Sequence, residues 1–440
     1  MFDGSPFCSE TTPFDAPIDL TRVLGLRGEV ALFYWEQPDC GVTIVAAGEA
    51  ARFEATGARR FHEISESTCR VIGALEQRSN QVPRGHGPLV VGGFGFSDRP
   101  SAAAEWREFP SARFVLPELL WIRRGMRCTL TRIWRRGRKQ PVNALLARIM
   151  SARPSCIQPP RPRFDLGPAD DLERREWRSR VERVRSQIIA GDLRKVVLSR
   201  RLAIEGAVPF DPILIIAEAR RTRPSCFNFC LSAGATTFVG STPEPLVRIE
   251  GDWIVSGALA GSAPRGATPA EDRDFGESLL ASSKNREEHE LVVSAVTSAL
   301  EAVAAPLSKV EGPRLVRLPE VQHLFTPVEG HLRDNRTVIE IAGLLHPTPA
   351  VCGVPREAAR AIIEREEPGR GWYTGAVGWM DARGQGEFAV ALRSGVIDGR
   401  KFFLWAGAGI VGGSDPDAEF AETEIKMSAL VRDGAFGAAA

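Results

Sequence analysis

Short apolar runs, some of them alternating, recur between turn residues over residues 28–135. The runs EVALFYWEQP, GVTIVAAG, PLVVGGFGFS and ARFVLPELLWIRRG are short, apolar or alternating, and bounded by turn residues, so they predict strands. A helical period interrupts them around residues 59–78. It returns in DLERREWRSRVERVRSQIIAGD, where Trp177, Val181, Val184 and Ile188 fall on one face. Between residues 136 and 171 the chain turns to arginine, proline and polar residues, as in PSCIQPPRPRFDLGPADD, which predicts a linker or an irregular surface crossing. Beyond it, strands are expected at 194–204, 226–232, 236–239, 245–250, 253–257, 374–380, 386–396 and 401–406. Helices are expected at 277–304, 337–344, 355–366 and 415–432. Neighbours such as VRIEGDWIVSG read as hairpins, and no regular βαβ rhythm or fixed-period repeat is evident. The pattern predicts an α+β fold with antiparallel sheets.

Composition narrows the function classes. The 440 residues are 43% hydrophobic and 25% charged, enough for a large core. A net charge of +1 gives no global field to draw nucleic acid or a membrane surface. One run, WIRRGMRCTLTRIWRRGRKQ (Trp121 to Gln140), is strongly basic, but exposed strand faces and turns carry such runs readily. The cysteines form no C-x-x-C pair, and Cys226 and Cys230 in CFNFC read as strand positions, so reduced thiols in a cytoplasmic protein are expected. The first 30 residues lack a basic n-region and a sustained apolar core, so no signal peptide is expected. No apolar run approaches the roughly 20 residues of a membrane span. Neither nucleic acid nor a membrane is expected as a partner.

Candidate chemistry concentrates in the C-terminal half. AGAGIVGG contains Gly407, Gly409 and Gly412 in the spacing G-x-G-x-x-G, but no second strand follows to make a dinucleotide-binding unit. A glycine loop after the apolar FFLWA is expected instead to offer bare N–H groups to a small anion, phosphate or carboxylate. Asp415 and Pro416 suit the start of a helix on which Glu419, Glu422 and Lys426 form one stripe. Lys284 and Glu288 stand four residues apart on another helix, either a surface ion pair or part of a Mg²⁺ site. Lys195 heads the apolar strand of GDLRKVVLSRRL, either reaching for water or partly buried as a general base. Glu244 lies between two prolines in FVGSTPEPLVRIEG, a turn residue or a carboxyl kept protonated.

Taken in order, GDLRKVVLSR, FVGSTPEPLVRI, GALAGSAPRG, LLASSKNREEHELVV, VQHLFTP, LLHPTPAVCGVP, GWYTGAVGW, GEFAVALRSG and LWAGAGIVGGSDPDAEFAETEIK resemble the chorismate-utilising enzymes. Within that family the resemblance is to isochorismate synthases, and VVGGFGFS and FVLPELLWIRRG extend it more weakly toward the N-terminus. It implies one large α+β domain of two antiparallel sheets with peripheral helices and the active site in the cleft between them. Residues 1–150 would complete the fold of a catalytic region at 173–435. By position, Lys195 is similar to the base that activates water for attack on C2 of chorismate, and Glu244 to the acid that protonates the departing C4 hydroxyl. Glu288 and Glu422 match the Mg²⁺ ligands, with Glu419 one layer out. Arg393, Tyr373, Lys426 and the backbone of Gly407, Ala408 and Gly409 match groups that hold substrate carboxylates, and His323 lines the same site.

Lys195 argues for water as nucleophile, because the ammonia-using relatives generally lack it; no amidotransferase subunit is then expected, and the enzyme would act as a monomer or weak homodimer. Ala350 stands where salicylate synthases usually carry threonine, which points to a product that keeps its enolpyruvyl group. Two positions depart from the family pattern: Asn285 replaces a usual acidic residue, and Cys352 a usual glycine or serine. Whether the product would feed menaquinone or a siderophore is not written in the sequence.

Overall fold

A computed structural model describes residues 6–14, 22–23, 25–79, 82–152, 171–309, 312–319 and 321–428. Two large sheets dominate. One has twelve strands in the order Gly353–Val354, Lys195–Glu205, Lys401–Ile410, Ser394–Asp398, Thr236–Thr242, Phe227–Ala233, Leu32–Gln37, Val42–Ala47, Leu119–Arg124, Arg127–Arg135, Phe7–Pro13 and Glu76–Gln77. The other has ten. Its main path begins Ala304–Lys309, Val321–Leu332, Trp253–Pro264, Pro245–Glu250 and Gly386–Val390. It continues through Ala376–Asp381, Leu89–Phe94, Ala112–Leu116 and Ala51–Ala55, with Arg314–Arg317 paired beside Val321–Leu332. Pairing is antiparallel except between Phe7–Pro13 and Glu76–Gln77. The α+β class and the two antiparallel sheets are as expected.

Strands from the first 150 residues lie inside both sheets: Leu32–Gln37 pairs with Phe227–Ala233, and Leu89–Phe94 with Ala376–Asp381. The facing surfaces meet in a core that includes Trp35, Trp106, Phe229, Phe238, Trp372 and Trp405. Aromatic pairs knit it: Trp106 and Trp405 lie 5.0 Å apart, and Phe109 and Trp372 lie 5.3 Å apart. Helices cover the outer faces; Trp177, Val181 and Val184 of Asp171–Ile189 pack on the back of Lys195–Glu205.

Several boundaries differ from the sequence reading. Part of the expected linker, Lys139–Ser151, is a helix, because Val142, Leu145, Leu146 and Ile149 make an apolar stripe within the arginine-rich run. Residues 153–170 of that linker lie outside the described residues. The helix expected at 277–304 is two, Pro269–Ala281 and Ser283–Glu301, broken where Ser282 leaves the helical conformation and its hydroxyl accepts from the Asn285 N–H. The helix Pro212–Thr222 went unpredicted, although Asp211 caps it and Pro212 opens it. The basic run forms a hairpin whose Trp121, Ile122, Ile133 and Trp134 are buried, while Arg132 and Lys139 meet Glu10 and Arg136 meets Glu76.

Candidate active site

Two of the chain's crossings between the sheets adjoin each other. Thr236–Thr242 of the first sheet runs into Pro245–Glu250 of the second, and Glu244 sits in the link. Gly386–Val390 of the second returns to Ser394–Asp398 of the first, and Arg393 sits in that link. The strand expected at 386–396 is therefore broken. The two links are bonded together: the Val390 N–H donates to the Glu244 carbonyl at 3.0 Å, and the Ser241 N–H to the Arg393 carbonyl at 3.0 Å. Arg393 takes a φ of 43°, unusual for a side-chain-bearing residue and sustained by this double crossing.

Around these links the sheets part to form a cavity. It is lined by Lys195, Glu244, Glu288, His323, Ala350, Tyr373, Arg393, Gly407, Gly409, Glu419, Glu422 and Lys426, among others. Twelve of the thirteen residues singled out by sequence thus meet in one place. Ala408 does not. Its side chain is buried on the other face of its strand with Trp177 and Phe420.

The glycine segment is no loop. Lys401–Ile410 is one strand, and Gly407 and Gly409 stand opposite Ser199 and Val197. The Ser199 N–H goes to Glu367 and the Val197 N–H to the Cys352 carbonyl, both away from the glycine strand. In antiparallel pairing the polar groups of Gly407 and Gly409 therefore also point away from that partner, toward the helix Pro416–Ser428. There the Gly407 carbonyl accepts from Lys426 Nζ at 3.0 Å. Ala408, one residue out of phase, turns its amide into the ladder. The glycines are needed for room: a Cβ on Gly409 would lie 3.0 Å from both Glu288 Oε1 and Lys195 Cε, and one on Gly407 3.3 Å from the Tyr373 hydroxyl.

Charges in the cavity are matched closely. Lys195 is buried, and its Nζ lies 2.8 Å from Glu288 Oε1. Burial pushes the Glu288 carboxyl up, but the Lys195 ammonium, by charge and hydrogen bond, together with Lys426 and Lys284 outweighs it and leaves the group below its ordinary range. Lys426 Nζ lies 2.5 Å from Glu422, one helical turn earlier. Glu244 is only 4% exposed, and burial raises its carboxyl from 4.5 to about 7 against the pull of Arg393, Lys195 and Lys426. Glu419 is also raised to about 7, first by burial and then by the charge of Glu422, with Glu288 adding to it. Burial likewise pushes the Tyr373 phenol well up, so it stays a neutral hydroxyl.

Among the described residues no three carboxylate, imidazole or thiol groups converge closely enough to hold a metal by themselves. Glu288 and Glu422 nevertheless suit a hard cation that completes its shell with water and an anionic ligand, as Mg²⁺ does. Asn285 lines the cavity but turns its amide to Ser282 Oγ at 2.9 Å, and Cys352 lies buried behind the wall with its thiol toward the Arg356 carbonyl.

Sequence reading missed a buried ion pair behind the cavity. Arg370 and Glu367 meet at 2.8 Å, almost wholly out of water. Arg370 donates to the carbonyls of Val197 and Val351, and Glu367 accepts from both N–H and hydroxyl of Ser199. The pair ties together the wall segments bearing Lys195 and Ala350. The segment EEPGRG reads as a proline-glycine turn, and nothing in its spacing marks it as interior.

Residues 5–433 match the family model described as chorismate binding enzyme. The chain is 33% identical over 413 residues to isochorismate synthase MenF of Bacillus subtilis, covering 91% of this chain and 87% of that one. It is 35% identical over 423 residues to the salicylate biosynthesis isochorismate synthase of Pseudomonas aeruginosa, covering 94% and 87%. The solved structure of MenF, the menaquinone-specific isochorismate synthase from Escherichia coli, superposes with a TM-score of 0.81 at 28% identity, covering 97% of this chain and 94% of that one.

Proposed function

This chain belongs to the chorismate binding enzyme family, and from that premise we propose that it is an isochorismate synthase, converting chorismate to isochorismate with Mg²⁺ as cofactor. The observation that carries the reading is a buried lysine and a buried carboxyl, Lys195 and Glu244, lining one cavity that also presents Arg393, Lys426, Glu288 and Glu422. The reaction adds water at C2, shifts both ring double bonds and expels the C4 hydroxyl. One group must take a proton from the attacking water and another must give one to the leaving oxygen. A carboxyl raised to about 7 is substantially protonated at neutral pH, which suits Glu244 to the second task. Lys195 suits the first in its neutral form: the ammonium that pairs with Glu288 has no lone pair and must pass a proton on before it can accept one. Water enters and water leaves, so the proton account closes.

Arg393, Lys426 and the outward N–H groups of Gly407 and Gly409 would hold the substrate's carboxylates, with the Tyr373 hydroxyl beside them. Glu288 and Glu422 would hold the Mg²⁺, which when bound clamps and neutralises a substrate carboxylate. Glu419, protonated in part, relieves the repulsion among the three carboxyls. The methyl of Ala350 offers no hydroxyl near the ring, consistent with a product that keeps its enolpyruvyl ether. No helix among the described residues is long and apolar enough to cross a membrane. We read the enzyme as cytoplasmic, a monomer or weak homodimer, and independent of an amidotransferase; size-exclusion chromatography at micromolar concentration checks the assembly.

The test is incubation of pure protein with chorismate and Mg²⁺ followed by separation of products. Isochorismate approaching a reversible mixture with chorismate, with little pyruvate, is expected. Salicylate and pyruvate in equal amounts as main products would overturn the assignment in favour of a salicylate synthase.

A further inference from the structure

The cations around the cavity are not held alike. Lys195 is balanced by Glu288 and Lys426 by Glu422. Behind the walls, Arg370 is balanced by Glu367 and Arg200 by Glu173. Arg393 is held by an imidazole: its Nη2 lies 2.8 Å from His323 Nε2.

A guanidinium can only donate, so Nε2 of His323 must accept and the ring proton must sit on Nδ1. Nδ1 in turn lies 3.2 Å from the Gly261 carbonyl, which can only accept, and 3.0 Å from Ser262 Oγ. The tautomer is therefore fixed from both sides, and the ring is neutral. Burial, followed by the charges of Arg393 and Lys426, opposes any second proton on it. The backbone of Arg393 is anchored as well, through its carbonyl to the Ser241 N–H. Arg393 is thus aimed without being neutralised.

We propose that His323 is a positioning residue that orients Arg393 as a neutral acceptor, keeping the guanidinium charge for a carboxylate of the ligand. A glutamate in its place would orient the arginine equally well. It would also cancel the charge and stand as a fixed anion where the ligand's anion must dock. Ser262 and the Gly261 carbonyl complete the device by holding the proton on the far nitrogen. The inference rests on the proposed reaction only for the ligand's identity.

The test compares two substitutions of nearly equal shape and different charge, His323→Gln and His323→Glu. The Gln carboxamide reaches the position of Nε2 and offers a neutral acceptor. Chorismate binding is followed by fluorescence of Trp405, which lines the cavity, with a chelator present so that no turnover occurs; KM and kcat are then measured with Mg²⁺. Gln is expected to stay within about 5-fold of the unaltered protein in affinity. Glu is expected to weaken binding about 10- to 100-fold, the scale of a lost hydrogen bond to a charged group, with the loss in KM exceeding that in kcat. Equal affinities for Gln and Glu overturn the inference. If the Glu variant does not fold, His323→Asn replaces it: its carboxamide ends near Nδ1 and cannot reach Arg393, so affinity must fall below that of the Gln variant, and equality again overturns it. Binding by the unaltered protein with no turnover once Mg²⁺ is supplied would defeat the proposed reaction and leave this inference standing.

Discussion

Glu244→Gln separates two consequences of one buried carboxyl. The group rises from 4.5 to about 7 on folding, chiefly because burial penalises its charged form. Between these values the folded protein binds a proton that the unfolded chain has released, so stability falls as pH rises through the window. At 1.36 kcal/mol per pH unit, the cost accumulated above pH 7 is about 3 kcal/mol. Glutamine keeps the shape and removes the titration. Glu244→Gln should therefore gain about 2.5 kcal/mol over the unaltered protein on going from pH 5 to pH 8, the part of the shift that falls in that window, read as the difference in urea unfolding without Mg²⁺ or substrate. The comparison isolates Glu244, since Glu419 titrates in both proteins. The same substitution should lower kcat by about 10²- to 10⁴-fold, the range for a lost general acid. Parallel pH profiles of stability would show that Glu244 is ionised in the folded protein, and the assignment of the acid would fall with it.

Other expectations are more direct. Lys195→Ala should fold and lose at least about 10²-fold in kcat; near-normal turnover would remove Lys195 from the mechanism. Chelation should abolish activity reversibly, and Glu288→Gln or Glu422→Gln should raise the Mg²⁺ concentration for half-maximal rate by more than about 10-fold, the lower end of what even an outer partner of a metal is worth. An unchanged Mg²⁺ requirement in both would exclude the pair as ligands. Arg370→Gln should cost about 3–5 kcal/mol in urea unfolding, because it strands the buried Glu367 carboxylate; adding Glu367→Gln should recover much of that loss.

What was legible in the sequence follows from what each signal depends on. The unbroken apolar runs in LFYWEQ and VTIVAA follow from burial on both faces of the strand, and these strands lie where the runs put them. Asp415 was readable as a cap, and its carboxylate accepts from the N–H groups of Asp417 and Ala418. The glycines near the C-terminus were misread because glycine usually marks a turn, whereas here its missing Cβ leaves space beside Lys195 and Glu288. The break before Ser394 was invisible, since nothing about Arg393 announces a left-handed backbone. The pair Arg370 and Glu367 could not be found at all: two charged residues in a proline-glycine segment look exposed until strands far away in the chain close over them. Periodicity alone would never have brought Lys195 to Glu288; that meeting was expected only through the family resemblance.

The strand order has a consequence for how the molecule is made. Lys195–Glu205 is bordered by Lys401–Ile410, and Lys426 on the last described helix reaches back to the Gly407 carbonyl. Strands formed early in synthesis, such as Leu32–Gln37 and Leu89–Phe94, must wait with one edge open until Phe227–Ala233 and Ala376–Asp381 emerge. Contacts so distant along the chain close slowly, and open edges are sticky meanwhile. A ribosome-bound chain stalled before residue 400 would therefore carry Lys195 and Glu244 but no enclosed pocket around them. Activity would arrive in a single late step, and partial chains would be candidates for chaperones, with no working fraction of the enzyme among them.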